Sequence, residues 1–171
     1  MYICLYHSPI GRIFLASNGD FLTGLWLEGQ NYFASNLPAY EKNKLPYSLQ
    51  NNLPVFKQAF NWLDIYFSGN EPDFTPKLNP QGSPFRKTVW DIMLKIPYGK
   101  TTTYGQIAQQ IAKQKGIKNM SAQAVGGAVG HNPISIIIPC HRVIGANGNL
   151  TGYASGLDKK CYLLKLEKAI L

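Results

Sequence analysis

Residues 136–144 read Ile136-Ile137-Ile138-Pro139-Cys140-His141-Arg142-Val143-Ile144. Three β-branched residues run into Pro-Cys-His-Arg, and two further apolar residues follow. Such an apolar run has the pattern of a buried strand, but Pro139 has no N–H to give to a central ladder. The chain must turn or leave the sheet where a thiol and an imidazole stand side by side. Adjacent strand residues face opposite ways, so contact between Cys140 and His141 needs a non-strand turn or a bridging water. The thiolate is the nucleophilic form of cysteine, and a base within hydrogen-bond reach is its usual activator. His141 is placed to be that base. On these two residues alone, a buried structural cysteine beside an unrelated histidine is the more ordinary explanation.

Working outward, the chain before this run has the signals of short helices. Ser83-Pro84 opens one, a capping side chain followed by a proline. Phe85, Val89, Trp90, Met93 and Leu94 form its expected buried stripe, and Pro97-Tyr98-Gly99 stops it. Thr103 to Gln106 has capping-box spacing and starts a helix whose apolar face is Ile107, Ala108, Ile111 and Ala112. After a basic connection, Lys113 to Lys118, Ser121 can cap a helix from Ala122 to about Val129. Two short helices joined by a turn point to a helix-turn-helix. The second holds Gly126-Gly127, at a cost of about 1 kcal/mol per glycine relative to alanine. Its alanines, Ala122, Ala124 and Ala128, keep it slim. Close packing against another helix and insertion into a DNA groove both explain such a helix. Beyond the central run lie two turn-rich loops, 145–149 and 151–156, then a terminal helix expected over Leu157–Leu171.

The stretch Asn132-Pro133-Ile134-Ser135-Ile136-Ile137-Ile138-Pro139-Cys140-His141-Arg142-Val143 resembles the active-site signature of the O6-alkylguanine-DNA alkyltransferases, also called methylated-DNA–protein-cysteine methyltransferases. The likeness runs from about Ser83 to Glu167 and is weaker before that. It implies an α+β protein. A small ribonuclease-like α/β domain, antiparallel strands plus a helix with a linker, would occupy 1–80. A mostly helical, winged-helix-like domain with the helix-turn-helix would occupy 81–171, bind DNA and accept the alkyl group. The implied activity is DNA repair by direct, irreversible transfer of an alkyl group from O6-alkylguanine to the protein's own cysteine. Whether O4-alkylthymine is also taken stays open. A dialkyl sulfide is hard to cleave, so each chain would act once. No metal and no cofactor are needed.

Position by position, the resemblance makes Cys140 the acceptor, His141 a base acting through water, and Glu167 the carboxylate that orients it. Asn132 ties the helix-turn-helix to the active-site segment, and Tyr104 assists protonation of the leaving guanine. Val143, Tyr153, Ala154 and Ser155 match positions lining the pocket for an extrahelical base; a duplex hides the reacting atom, so flipping is a physical need. Ala124 belongs to the helix that enters the minor groove. Arg142 is expected to make a structural ion pair. One departure stands out: many members carry an arginine in that helix to fill the gap left by the flipped base, and this chain has Gln123. Gln123 can hydrogen-bond the orphaned base but brings no charge. The acceptor sulfur is expected in a hollow that a swung-out purine can enter.

Composition fits these expectations without demanding them. The chain has 171 residues, 45% hydrophobic, with a formal net charge of +8, a balance that favours polyanionic partners. Cys4, Cys140 and Cys161 are too few and too scattered for a disulfide framework, which indicates a reducing compartment. Cys4 and His7 lack a second ligand pair for a zinc site. There is no 18-residue apolar segment and no signal-peptide order, so a cytoplasmic protein is expected, and the family is usually monomeric. Met1 to His7, Arg12 to Ala16 and Phe21 to Leu27 read as an antiparallel meander turning at Ser8–Gly11 and Asn18-Gly19-Asp20. Residues 28–51 read as loop, with a short helix within them as the alternative. A helix from Leu53-Pro54, with Val55, Phe56, Ala59, Phe60, Leu63 and Phe67 in its stripe, would cover the sheet. Gly69–Gly82, with its prolines, reads as a linker. Three other functions compete: a damage sensor of the kind that lacks the reactive cysteine, against which Cys140 speaks; a cysteine hydrolase, which would need oxyanion donors; and a DNA-binding regulator, for which the reactive run would be superfluous.

Overall fold

The computed structural model describes residues 1–35, 48, 49 and 52–170. The chain divides into two compact units. The first comprises Met1–Gln81 and Pro133–Ser135, the second Gly82–Asn132 and Ile136–Leu171.

In the first unit, β1 (Tyr2–Ser8), β2 (Gly11–Ser17) and β3 (Leu22–Leu27) form the expected antiparallel meander. A two-residue strand, β4 (Ser48–Leu49), adds in parallel to Tyr2–Ile3, giving the order β3-β2-β1-β4. It falls in the stretch read as loop; residues 36–47, 50 and 51 of that stretch lie outside the described residues. The helix α1 (Pro54–Phe67) packs on β1, β2 and β3. Pro54 sits in its first turn, where a missing N–H costs nothing. Its buried stripe is Val55, Phe56, Ala59, Trp62, Leu63 and Tyr66. Phe60 and Phe67, expected in that stripe, are only half-buried. They lie at the border of the apolar arc and shelter Tyr6, with ring centroids 5.5 and 6.3 Å away. Trp62 and Tyr66, stacked at 5.2 Å, take the central positions.

The edge of β3 is not open along its length. Leu22 N donates to Lys77 O and Asn79 N to Leu22 O, both at 2.8 Å, so part of the expected linker is pinned to the sheet. Pro76 and Pro80 flank this bridge and confine the pairing to one residue. Farther along the same strand, Leu25 N donates to Pro133 O and Ser135 N to Leu25 O, again at 2.8 Å.

The second unit holds α2 (Pro84–Met93), α3 (Tyr104–Lys115), α4 (Ala122–Gly130) and α5 (Leu157–Leu166). The caps read from the sequence are present. Ser83 Oγ accepts from Arg86 N, and Ser121 Oγ from Ala124 N. Thr103 and Gln106 close a reciprocal capping box. Gly116, at φ 64°, ends α3 in the left-handed conformation that glycine adopts without strain. Trp90 Nε1 donates to Ala128 O at 3.0 Å and pins α2 to α4. Leu94, expected in the buried face of α2, is exposed because the helix has already ended at Met93. The terminal helix stops at Leu166 rather than 171, since Lys168 takes a left-handed φ of 56°. Two short strands, β5 (Thr102–Thr103) and β6 (Val143–Ile144), pair in parallel. No helix among the described residues is long and apolar enough to cross a membrane.

Candidate active site

The run through Pro139 leaves extended geometry as the sequence requires. Cys140–Arg142 form a single 3-10 turn, with Arg142 N bonded to Pro139 O at 3.0 Å, and the chain then enters β6. β6 pairs with β5, whose last residue, Thr103, caps α3. The Cys140–Arg142 turn and Tyr104 at the head of α3 are therefore joined through one two-stranded ladder.

Glu167 is the hub of the turn. Its Oε1 lies 2.7 Å from His141 Nε2 and 3.1 Å from Arg142 Nη2, and its Oε2 lies 2.9 Å from Arg142 Nε. Gly99 N donates to Oε2 at 3.2 Å. Gly99 has φ 69° and would place a Cβ only 2.9 Å from Glu167 O, so a side chain there would push the hub away. Burial raises the Glu167 pKa, but hydrogen bonds and charge from His141 and Arg142 outweigh it and bring the value down to about 2. The carboxylate is ionised, so Nε2 carries the proton it donates. His141 is fully buried and its pKa is lowered, by burial first, against the opposing pull of Glu167. A neutral imidazole with its proton on Nε2 has a basic lone pair on Nδ1. Arg142 also donates to Ile96 O at 2.7 Å and lies 5.7 Å from the Tyr98 ring centroid, the structural ion pair its sequence reading expects.

Asn132 follows α4 and its Nδ2 donates to Ile138 O at 2.7 Å, tying the end of the helix to the segment that leads into Cys140. The same amide bears on the Cys140 sulfur. The Tyr153 hydroxyl is buried beside that sulfur without a well-directed hydrogen bond. Tyr104 Oη donates to Thr151 O at 3.3 Å, and its pKa is raised by burial and by the charge of Cys140. Ala154 and Ser155 are half-buried on the same loop, and Val143 is buried in β6. Gln123 and Ala124 are exposed on α4, at the solvent side of the helix.

One expectation is corrected. The sulfur does not stand in an open hollow: Cys140 is 4% exposed. The isoleucine run places it in the interior, and Asn132, Tyr153 and Lys160 surround it. Burial pushes its pKa up, while Asn132, the positive charge of Lys160 and Tyr153 pull it back. An imidazole neighbour alone therefore does not ionise this thiol.

Lys160 was not singled out from the sequence. Its side chain is fully buried, and its Nζ donates to Val143 O at 2.6 Å, Thr151 O at 2.9 Å and Gly152 O at 3.3 Å. Burial lowers its pKa to about 8, against the favourable charge of Cys140. The available signal was helical spacing: Lys160, Leu163 and Leu164 share one face of α5, and Glu167, its C-cap, continues that spacing.

Comparison with known proteins adds independent findings. A family model described as "6-O-methylguanine DNA methyltransferase, ribonuclease-like domain" matches residues 1–80. Its DNA-binding-domain counterpart matches residues 84–169. The methylated-DNA--protein-cysteine methyltransferase of Methanosarcina acetivorans is 46% identical, with 98% of each chain covered. That of Haemophilus influenzae is 40% identical over 98% of this chain and 87% of its own. The crystal structure of Mycobacterium tuberculosis OGT in complex with DNA superposes with a TM-score of 0.80 at 40% identity, covering 99% of this chain and 94% of that one. An O6-methylguanine DNA methyltransferase from Methanococcus jannaschii superposes at a TM-score of 0.64 and 30% identity, covering 98% and 94%.

Proposed function

Because the chain belongs to the 6-O-methylguanine DNA methyltransferase family, we propose that it repairs alkylated DNA with Cys140 as the acceptor, and that residues 81–171 bind the DNA and carry the chemistry. The substrate is duplex DNA holding O6-alkylguanine, approached from the minor groove by a monomer in the cytoplasm. The observation that carries this reading is the chain of contacts around the turn: Arg142 and His141 on Glu167, and Asn132 on Ile138 beside the sulfur.

His141 Nδ1 takes the thiol proton, directly or through water, and the resulting imidazolium is held by the Glu167 carboxylate. The sulfur attacks the alkyl carbon; the S–C bond forms as the C–O6 bond breaks. The electron pair leaves with guanine, which takes up a proton at its ring nitrogen from Tyr104, and the proton held on His141 returns to Tyr104 through solvent. The proton lost by the thiol balances the one gained by the base. Tyr153, Ala154, Ser155 and Val143 line the recess for the swung-out purine. Since Cys140 is 4% exposed, binding the base requires side chains packed around the sulfur, Tyr153 among them, to give way.

Support for groove insertion comes from α4. A Cβ at Gly127 or Gly130 would meet nothing within 4 Å, and one at Gly126 would touch Tyr104 at an ordinary 3.8 Å. Internal packing does not require these glycines, so their cost in helix propensity is explained by an external surface that comes close. Gln123 and Ala124 lie on that face.

The test is intact-mass measurement after incubation with a duplex containing O6-methylguanine. One methyl group per chain should appear on wild type and none on Cys140→Ala. Methyl uptake by Cys140→Ala, or none by wild type, sinks the reading.

A further inference from the structure

Resting on the reading of Cys140 as acceptor, we propose that Gln30 is a positioning residue for the transfer, fixing Ser135 and through it the segment from which the acceptor turn hangs. Gln30 is 5% exposed, and its Oε1 accepts from Leu27 N at 2.9 Å and from Ser135 Oγ at 3.2 Å. Ser135, 2% exposed, also donates its N–H to Leu25 O. With the Leu25 to Pro133 bond, this holds Pro133–Ser135 along β3 at three points.

The residues on either side of this segment serve the chemistry. Asn132 precedes it and bonds Ile138 O beside the sulfur. Ile136 follows it, fully buried and at φ 70°. A β-branched residue avoids that conformation, and one persists there only where its surroundings over-determine it. Upstream of Ile136 the determination comes from Ser135 on β3 and Gln30; downstream it comes from Asn132 on Ile138. Releasing Ser135 lets Ile136 relax and shifts Asn132 relative to Cys140. In-line displacement is sensitive to such shifts, since a misplacement of about 1 Å can cost about 100-fold in rate. Nothing in the local sequence flags Gln30, which sits in the polar run Glu28-Gly29-Gln30-Asn31.

The experiment is single-turnover methyl transfer from an O6-methylguanine duplex to the full chain. Gln30→Met keeps the length of the side chain but accepts from neither partner. Its rate constant at saturating DNA should fall about tenfold, with the half-saturating DNA concentration within about twofold of wild type. Gln30→Glu retains an acceptor oxygen and should recover most of the rate. Ser135→Ala, which removes only the hydroxyl, should also slow transfer, and adding it to Gln30→Met should cost little more, since both break the Gln30–Ser135 contact. A Gln30→Met protein that reacts at the wild-type rate overturns the proposal. So does one that merely melts earlier while its folded fraction reacts normally. Should Gln30→Met fail to fold, Ser135→Ala at the wild-type rate overturns it equally. Wild type that takes up no methyl group fails the acceptor reading, and this inference falls with it; a reactive wild type matched by both variants fails this inference alone.

Discussion

Glu167 shows how much of the site depends on a single carboxylate. Its value lies near 2 in the folded chain against an ordinary 4.5, a difference that corresponds to about 3 kcal/mol. Because the folded value is the lower one, this stabilisation is complete above about pH 4.5 and is lost as pH falls towards about 2. Urea midpoints measured over that window should drop more for wild type than for Glu167→Gln. At neutral pH the variant should be the less stable by about 3–5 kcal/mol, since Arg142 keeps a buried charge without its counter-ion. Lys160 supplies the second prediction at this scale. Its charge lowers the Cys140 value, so in Lys160→Met the pH profile of single-turnover methyl transfer should move to higher pH. Cys140 and His141 stand in a long motif and Glu167 is matched outside it, and the contact between His141 and Glu167 is the part of that reading the structure contains. Lys160 was not legible, because Lys159-Lys160 looks like any solvated pair on a helix and only the fold decides which of the two is buried.

At the scale of elements, α4 carries a trade. Gly127→Ala should stabilise the free protein to urea by about 0.5–1 kcal/mol, as the open space around that position allows. The same change should weaken duplex binding measured by fluorescence anisotropy, because the added methyl stands where the groove would come. Unchanged affinity would separate α4 from the DNA. On the same face, Gln123→Arg should raise the transfer rate on duplex and leave single-stranded substrate unaffected, if filling the vacated base position limits the reaction. Helix starts were legible to the residue, since Ser83, Thr103 and Ser121 announce themselves by side-chain chemistry. The slim face of α4 was legible too, though the sequence could not separate internal packing from external approach. A Cβ at Gly127 or Gly130 would meet nothing within 4 Å, which removes one demand for glycine there and supports the proposed external approach. The ends of α2 and α5 were misjudged because apolar residues continue past the last helical turn.

Over the whole molecule the charge is unevenly placed. Residues 82–171 hold 12 of the 17 basic side chains and only 3 of the 9 acidic ones. Attraction to phosphates should thus come from that part of the chain and release counter-ions on binding. Duplex affinity should fall at least about tenfold between roughly 50 and 200 mM salt, with the transfer rate at saturation little changed. Such compositional facts are plain in a sequence. Long-range pairing is not: the β5–β6 ladder and the seat of Pro133–Ser135 on β3 join pieces of two or three residues, too short to show any period. The near-closure of Cys140 has a further effect. A protein whose sulfur serves a single time loses everything if a stray peroxide or aldehyde reaches it first. A buried, protonated thiol resists such bystanders, so low exposure confers shelf life on a reagent that is spent once.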